Sequence, residues 1–317
     1  MNTSSTHTSG SSTGDGQTVT AHPNPFNQSV IDEFRANGGR VGGPFEGGDL
    51  LLLTTTGAKS GKRTTNPLGY VRRGEHLMVV GSAGGADRHP AWYHNLLARP
   101  TVTVEIGTEE YEAVAVPAEG ARRDELFAYI ADVERGYADY QRGTTRTLPV
   151  VLLERVDHFP ESGPIVVRTM ADKILEIHTW LRGQLRHVQA EAAAHFAAQQ
   201  EPGAPTLPGL GLQIRQHCLA FCETLDFHHR SEDAGVFPGI AHYHPELADA
   251  LARMSEEHKE MSRLKGELVA LLADHAHADQ VHFMAELDRM AEGLTAHLDY
   301  EEEWLLPVLA EVPMPGQ

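Results

Sequence analysis

The chain has 317 residues, 41% of them hydrophobic, with 26 basic and 44 acidic side chains and a formal net charge of −18. That length suffices for two hydrophobic cores, and with no run of 18 apolar residues a membrane-spanning helix is not expected. So acidic a field repels phosphate backbones, which removes nucleic acid from the expected partners.

The first twenty residues, MNTSSTHTSGSSTGDGQTVT, are rich in Ser, Thr and Gly and lack the basic start and apolar stretch of a secretory signal. They predict a disordered tail over residues 1–25 and a cytoplasmic protein, peripheral at the membrane only if its substrate is a menaquinone. Short β-rich runs follow at 51–56, 68–73, 76–82, 101–106, 111–116 and 148–154, interrupted by helical patterns at about 27–37, 90–98 and 119–134. Many short strands with few helices predict a small β-barrel, not a doubly wound sheet. Neither G-x-G-x-x-G nor a Walker sequence occurs, so a dinucleotide fold and a P-loop are unsupported.

Two loops carry the chemistry of this half. TTGAKSGKRTT (55–65) gathers Lys59, Lys62 and Arg63 around Ser60 and Gly61, where cations and turned backbone N–H groups suit a phosphate or carboxylate; a solvated basic turn is the plainer alternative. GSAGGADRHPAWYHNLLARP (81–100) sets paired glycines before a Pro-Ala-Trp-Tyr helix start, against which a flat ring system can lie. Together they describe a planar cofactor with an anionic tail.

TTTGAKSGK, the S-x-G-G-A…HPAWYHNL segment, YADYQ and TTRTLPVVLLE, in that order over residues 26–155, closely resemble the deazaflavin-dependent nitroreductase family. The resemblance implies a split β-barrel of the FMN-binding kind that binds coenzyme F-420. It places Lys59, Ser60, Lys62 and Arg63 on the phosphate and glutamate tail, and Ser82, Gly84, Gly85, Ala91 and Trp92 along the deazaflavin. Tyr70, Tyr137 and Tyr140 would border the substrate and, with Ser82, serve the reaction. Ala83 stands where relatives often carry Lys, a departure that bears on tail recognition.

HFPESGPIV (158–166), with two prolines and a glycine, reads as a junction, giving a linker over 158–169 and a second domain over 170–310. Charge divides unevenly: residues 45–157 hold 13 basic and 16 acidic side chains, residues 165–317 hold 11 and 24. Four amphipathic helices are predicted at about 170–200, 210–235, 246–274 and 279–305. HHRSEDAGVFP (228–238) and HLDYEEEWLLP (297–307) share the template H-x3-E-[D/E]-x2-apolar-apolar-P. Helix geometry places such a His and Glu about 6 Å apart along one face. Composition alone generates about two or three such pairs by chance, and His187/Glu191, His242/Glu246 and His282/Glu286 repeat the spacing.

Context separates them. Steps of 3, 7, 10 and 14 residues back from His228 give Leu225, Phe221, Cys218 and Ile214; from His297 they give Leu294, Met290, Leu287 and Phe283. Both pairs therefore continue an apolar stripe, where an imidazole and a carboxylate are costly unless a cation neutralises them. His178 and His258 sit on similar stripes, whereas His187 and His217 read as surface or boundary residues. Cys218 and Cys222, four apart on one helix, read as buried reduced thiols.

This half resembles the hemerythrin-like HHE cation-binding domains, which implies an antiparallel four-helix bundle around two non-haem iron ions. Carried over, the ligands are His178, His228, Glu232, His258, His297 and Glu301. Oxygen-carrying hemerythrins add a second His four residues after the third-helix ligand, but Ser262 stands there, leaving one iron with a poorer shell. That favours redox or oxygen sensing, peroxide or nitric oxide chemistry, or iron handling over reversible oxygen carriage; manganese accepts the same donors. The whole chain is thus expected to be an α+β two-domain oxidoreductase. It would pass a hydride from reduced F-420 to a quinone-like or nitroaromatic acceptor, with the bundle as sensor or regulator. The competing expectation is a non-catalytic sensor whose barrel only binds deazaflavin.

Overall fold

The computed structural model describes residues 25–156, 167–199, 211–273 and 279–314. Residues 1–24 of the predicted tail and most of the predicted linker lie outside the described residues, and Pro25, expected in the tail, opens a helix. Six strands, β1 (Leu50–Thr56), β2 (Arg63–Arg73), β3 (His76–Val80), β4 (Thr101–Ile106), β5 (Glu109–Pro117) and β6 (Val150–Arg155), form an antiparallel barrel closed in the order β1-β2-β3-β6-β5-β4. Closure leaves no strand edge unpaired. The leucine run of β1 is buried on both faces: Leu51 and Leu53 enter the barrel core, while Leu50 and Leu52 pack under α1 (Pro25–Ala36). A strand covered on both sides needs no polar alternation.

Three more helices decorate the barrel: α2 (Ala91–Ala98), α3 (Gly120–Val133) and α4 (Arg135–Arg142). Two departures from expectation matter. β2 begins at Arg63, not 68, because the threonines of the basic loop pair across the hairpin, Thr54 Oγ1 lying 2.8 Å from Thr65 Oγ1. The pattern read as one helix over 119–134 is followed by α4, which starts after Glu134 leaves helical geometry at φ −124°, ψ 89°.

The second half comprises α5 (Met170–Gln199), α6 (Leu212–Ser231), α7 (Phe237–Tyr243), α8 (Ala248–Ala273) and α9 (Gln280–Leu309). The four long ones form a bundle around Leu181, Leu185, Phe221, Leu268, Phe283 and Leu294. Between α6 and α7 runs a π-helical turn, Glu232–Val236, in which Phe237 N–H bonds to Glu232 O. Pro238 has no N–H for Ala234 and its ring would strike that carbonyl, so the wider turn relieves a clash. α9 continues through Pro307 to Leu309. No helix of the described residues is long and apolar enough to cross a membrane.

α6 also packs on the barrel. Ala220 meets Val114 and Val116 of β5, and the buried Gln216 amide donates to Leu96 O at 2.8 Å and Ala115 O at 3.0 Å. Arg215 donates to Leu97 O at 2.6 Å, and Glu119 Oε2 accepts from Leu212 N at 2.7 Å. His217, expected on a surface or boundary, is instead 4% exposed within this seam, its Nε2 3.1 Å from Glu154 Oε2 of β6. Its neighbours lie on a barrel distant in sequence, which the helix pattern could not reveal.

Candidate active site and candidate metal centre

A cleft of about 490 Å³ opens at one end of the barrel, lined by Tyr70 of β2, Ser82, Ala83 and Gly84 after β3, Trp92 of α2, and Tyr137 and Tyr140 of α4. Sequence-distant expectations thus meet in one place. Gly85 and Ala91 flank the lining. Ala83, Gly84 and Gly85 have φ of 48°, 63° and 81°; Ala83 is the one non-glycine with positive φ among the described residues. A left-handed alanine costs about 1 kcal/mol, so something must hold this turn.

Arg146 does. Its guanidinium donates to Gly81 O at 3.0 Å, Ser82 O at 2.6 Å and Ala86 O at 2.7 Å, and lies 3.0 Å from His89 Nδ1. Arg146 lies in the TTRTLPVV segment but was not among the expected site residues; an arginine among uncharged residues was the available signal. A Cβ on Gly84 would meet nothing within 4 Å, whereas one on Gly69 would come 3.2 Å from Tyr137 Oη. The cleft is therefore open over Gly84 and closed at Gly69.

Burial pushes the Tyr137 phenol up to about 12, and burial together with Asp49 raises that of Tyr70. Both are neutral donors at physiological pH. The rings of Tyr137 and Tyr140 meet edge to face at 6.3 Å.

The basic loop does not line this cleft. Gly57 N–H donates to Lys62 O at 2.9 Å and Lys62 N–H to Ser60 Oγ at 3.2 Å, leaving Lys59 and Lys62 exposed. α2 links loop to cleft: Trp92 lines the cleft, and one turn on, Asn95 Oδ1 accepts from Ala58 N at 3.2 Å while its Nδ2 donates to Thr55 Oγ1 at 3.1 Å. Arg63 is directed elsewhere, donating to Thr103 Oγ1 at 2.7 Å beside a second cleft.

In the bundle, the six expected donors converge, each at most 5% exposed. Glu301 faces two histidine pairs. Its Oε2 lies 3.3 Å from His178 Nε2 and 3.9 Å from His228 Nε2; its Oε1 lies 3.2 Å from His258 Nε2 and 3.1 Å from His297 Nε2. Glu232 Oε2 sits 3.4 Å from His228 Nε2 and 3.6 Å from His258 Nε2. Each carboxylate thus addresses histidines of two donor clusters.

His229 was missed. It is 6% exposed, its ring stacks on His258 at 4.1 Å between centroids and meets His297 edge-on at 5.2 Å. It brings a third imidazole beside His258 and His297, on the side where Ser262 stands in place of the second histidine of oxygen-carrying hemerythrins. One helical step from His228 turns a side chain by about 100°, which is why the stripe that revealed His228 did not include its neighbour; the HH doublet was the only signal.

The residues fit a bound cation. Both oxygens of Glu232, Glu301 Oε2, His297 Nε2 and His229 Nε2 are buried without hydrogen-bond partners among the described residues. Orphaned carboxylate oxygens of this kind cost several kcal/mol unless charge is supplied. Burial, then neighbouring histidines, holds His228 down to about 3 and His229 to about 2, so both remain neutral donors. Burial opposes the Glu301 carboxylate, but the close imidazoles of His178, His258 and His297 outweigh it and hold its pKa well below the ordinary value; burial and the charge of Glu301 push Glu232 up. Outer carboxylates orient the imidazoles: Glu302 Oε1 lies 3.0 Å from His178 Nδ1 and accepts from Arg182 at 2.6 Å, and Glu257 Oε2 lies 2.9 Å from His297 Nδ1. The decoy His282/Glu286 is separated by 3.9 Å with its histidine largely exposed. Cys218 and Cys222 are buried free thiols, burial pushing Cys222 up to about 12.

Comparison with known proteins agrees with both halves. The family model of F420H(2)-dependent quinone reductase matches residues 27–155, and that of the hemerythrin HHE cation binding domain matches residues 169–309. An F420H(2)-dependent quinone reductase of Mycobacterium tuberculosis is 37% identical over 126 residues, 38% of this chain and 85% of the relative. The solved structure of an F420-H2 dependent reductase shares 38% identity, covering 33% of this chain and 94% of that one with a TM-score of 0.32. The chain belongs to the F420H(2)-dependent quinone reductase family and carries a hemerythrin HHE cation binding domain behind the barrel.

Proposed function

We propose that the barrel reduces a quinone-like acceptor with reduced coenzyme F-420, and that the bundle holds two iron ions and tunes that activity in response to oxygen or nitric oxide. The observation that carries the first part is the convergence of Ser82, Gly84, Trp92, Tyr70 and Tyr137 on one cleft in a chain of this family. Reduced deazaflavin, when bound, supplies a hydride; the protein positions it and shapes the electrostatics. Trp92 and the open backbone at Gly84 would support the ring system. Lys59, Ser60 and Lys62 would hold the phosphate and glutamate tail beyond Asn95; Arg63 would have to leave Thr103 to join them.

Neutral phenols at Tyr70 and Tyr137 and the Ser82 hydroxyl can donate hydrogen bonds to an acceptor oxygen as negative charge develops on it. Because burial keeps the Tyr137 proton in place up to about 12, that donor persists across the physiological range. Nitroaromatics, also flat and electron-poor, suit the same cleft. The test is anaerobic mixing of the full-length protein with reduced F-420 and a soluble menaquinone analogue, following the return of deazaflavin absorbance. No acceleration over the protein-free rate would sink the proposal.

For the bundle, the donors divide into His178 and His228 on one side and His229, His258 and His297 on the other, with Glu232 and Glu301 between. An iron pair would supply one-electron chemistry, mismatched to a hydride, so the bundle is read as regulator or oxygen guard. Activity that is equal in air and under nitrogen, with and without iron, would overturn the regulatory part.

A further inference from the structure

One of the chance-spaced pairs has company. His187 and Glu191 lie on α5, and the seam between bundle and barrel brings to them His217 of α6 and Glu154 of β6. His187 Nε2 is 3.5 Å from Glu191 Oε1; His217 Nε2 is 3.1 Å from Glu154 Oε2 and 3.9 Å from Glu191 Oε2. The rings of His187 and His217 meet edge-on at 5.0 Å. Donors around a tetrahedral ion at about 2.0–2.1 Å stand about 3.4 Å apart, and these separations bracket that value.

Hydrogen bonding accounts for the His217–Glu154 contact but not for the whole cluster. Gln213 Nε2 donates to Glu191 Oε1 at 2.5 Å while Gln213 Oε1 accepts from Arg122 of the barrel at 2.8 Å, but Glu191 Oε2 is buried with no partner among the described residues. The His217 side chain is only 5% exposed, and its Nδ1 also lacks a partner there. His187, Glu191 and His217 bring donor atoms within 4.8 Å of one another, and with Glu154 against His217 they make a set that a divalent borderline metal satisfies and a single protonated histidine does not. His187 is half exposed, which gives an ion a route from solvent.

We propose that Glu154, His187, Glu191 and His217 form a divalent transition-metal site, of the zinc class, that ties the bundle to the barrel. It is separate from the two-metal centre, since His217 and His228 are eleven residues, about 16 Å, apart along α6. Glu154 comes from one domain and the other three donors from the other, so occupancy would fasten the seam.

The test uses full-length protein holding its iron, equilibrated with micromolar zinc chloride, desalted and assayed for both metals. We expect one zinc per chain with no loss of iron. His187→Ala and Glu154→Gln should each weaken zinc at least tenfold while keeping their iron, and His282→Ala should change nothing. Zinc should raise the thermal midpoint of the parent protein by several degrees and leave that of Glu154→Gln unmoved. No zinc retained, zinc gained only as iron falls, or zinc held equally by both variants would overturn the proposal. If Glu154→Gln loses iron through misfolding, the half-exposed His187→Ala decides alone.

Discussion

Glu301 and Glu286 are both four residues after a histidine on α9, yet one is fully buried between two imidazole pairs and the other borders solvent. Replacing Glu301 with Gln is therefore expected to cut bound iron to below one per chain, while Glu286→Ala leaves it unchanged, as metal analysis after purification will show. His229→Ala should release one iron and spare the other. Tyr137 gives a pH test. Its folded pKa, pushed up to about 12, exceeds the unfolded value near 10, so its contribution is present below pH 10 and lost as pH rises toward 12. Denaturant unfolding should show the parent losing about 2 kcal/mol more than Tyr137→Phe across that window; parallel curves would refute the shift. At this scale the sequence was informative wherever a side chain extended an apolar stripe, as for His178 and His258. For His229 it offered only the HH doublet and for His217 nothing, since their partners lie on other helices or on the barrel.

Among the elements, the turn from Ser82 to Gly85 depends on a residue sixty positions away. Arg146→Lys cannot reproduce the forked donation to Gly81 O, Ser82 O and Ala86 O. It is expected to weaken F-420 binding about tenfold or more, measured by fluorescence titration, with the barrel still folded by circular dichroism. The hairpin loop should behave differently. Lys59→Ala with Lys62→Ala should weaken F-420 far more than a tailless deazaflavin, since each charge-assisted contact is worth about 1.5–3 kcal/mol; equal weakening would show that the loop does not read the tail. Strand positions were legible from β-rich runs, and the bundle helices from their stripes. What escaped was governed by breaks: Glu134, which starts the helix carrying Tyr137 and Tyr140, and Pro238, which turns the end of α6 into a π segment instead of stopping it.

At the scale of the molecule, the seam predicts that the halves stay together without their connection. A protease site placed between residues 158 and 166 and cut should leave both pieces co-eluting at micromolar concentration; separation would show the seam to be weak. Gln216→Ala, leaving the buried carbonyls of Leu96 and Ala115 unpaired, should cost about 2 kcal/mol of stability. The first half of α6 grips the barrel and its last turn carries His228 and His229. That one helix has two masters. A foreign four-helix bundle spliced in at the junction would bring metal donors but not the Leu212–Ala220 face shaped to β5, and a shift of α6 to suit a new barrel would drag two imidazoles with it. The bundle, through α6, is a part fitted to one neighbour, and exchange of modules here must proceed by remodelling a helix, not by cutting a linker.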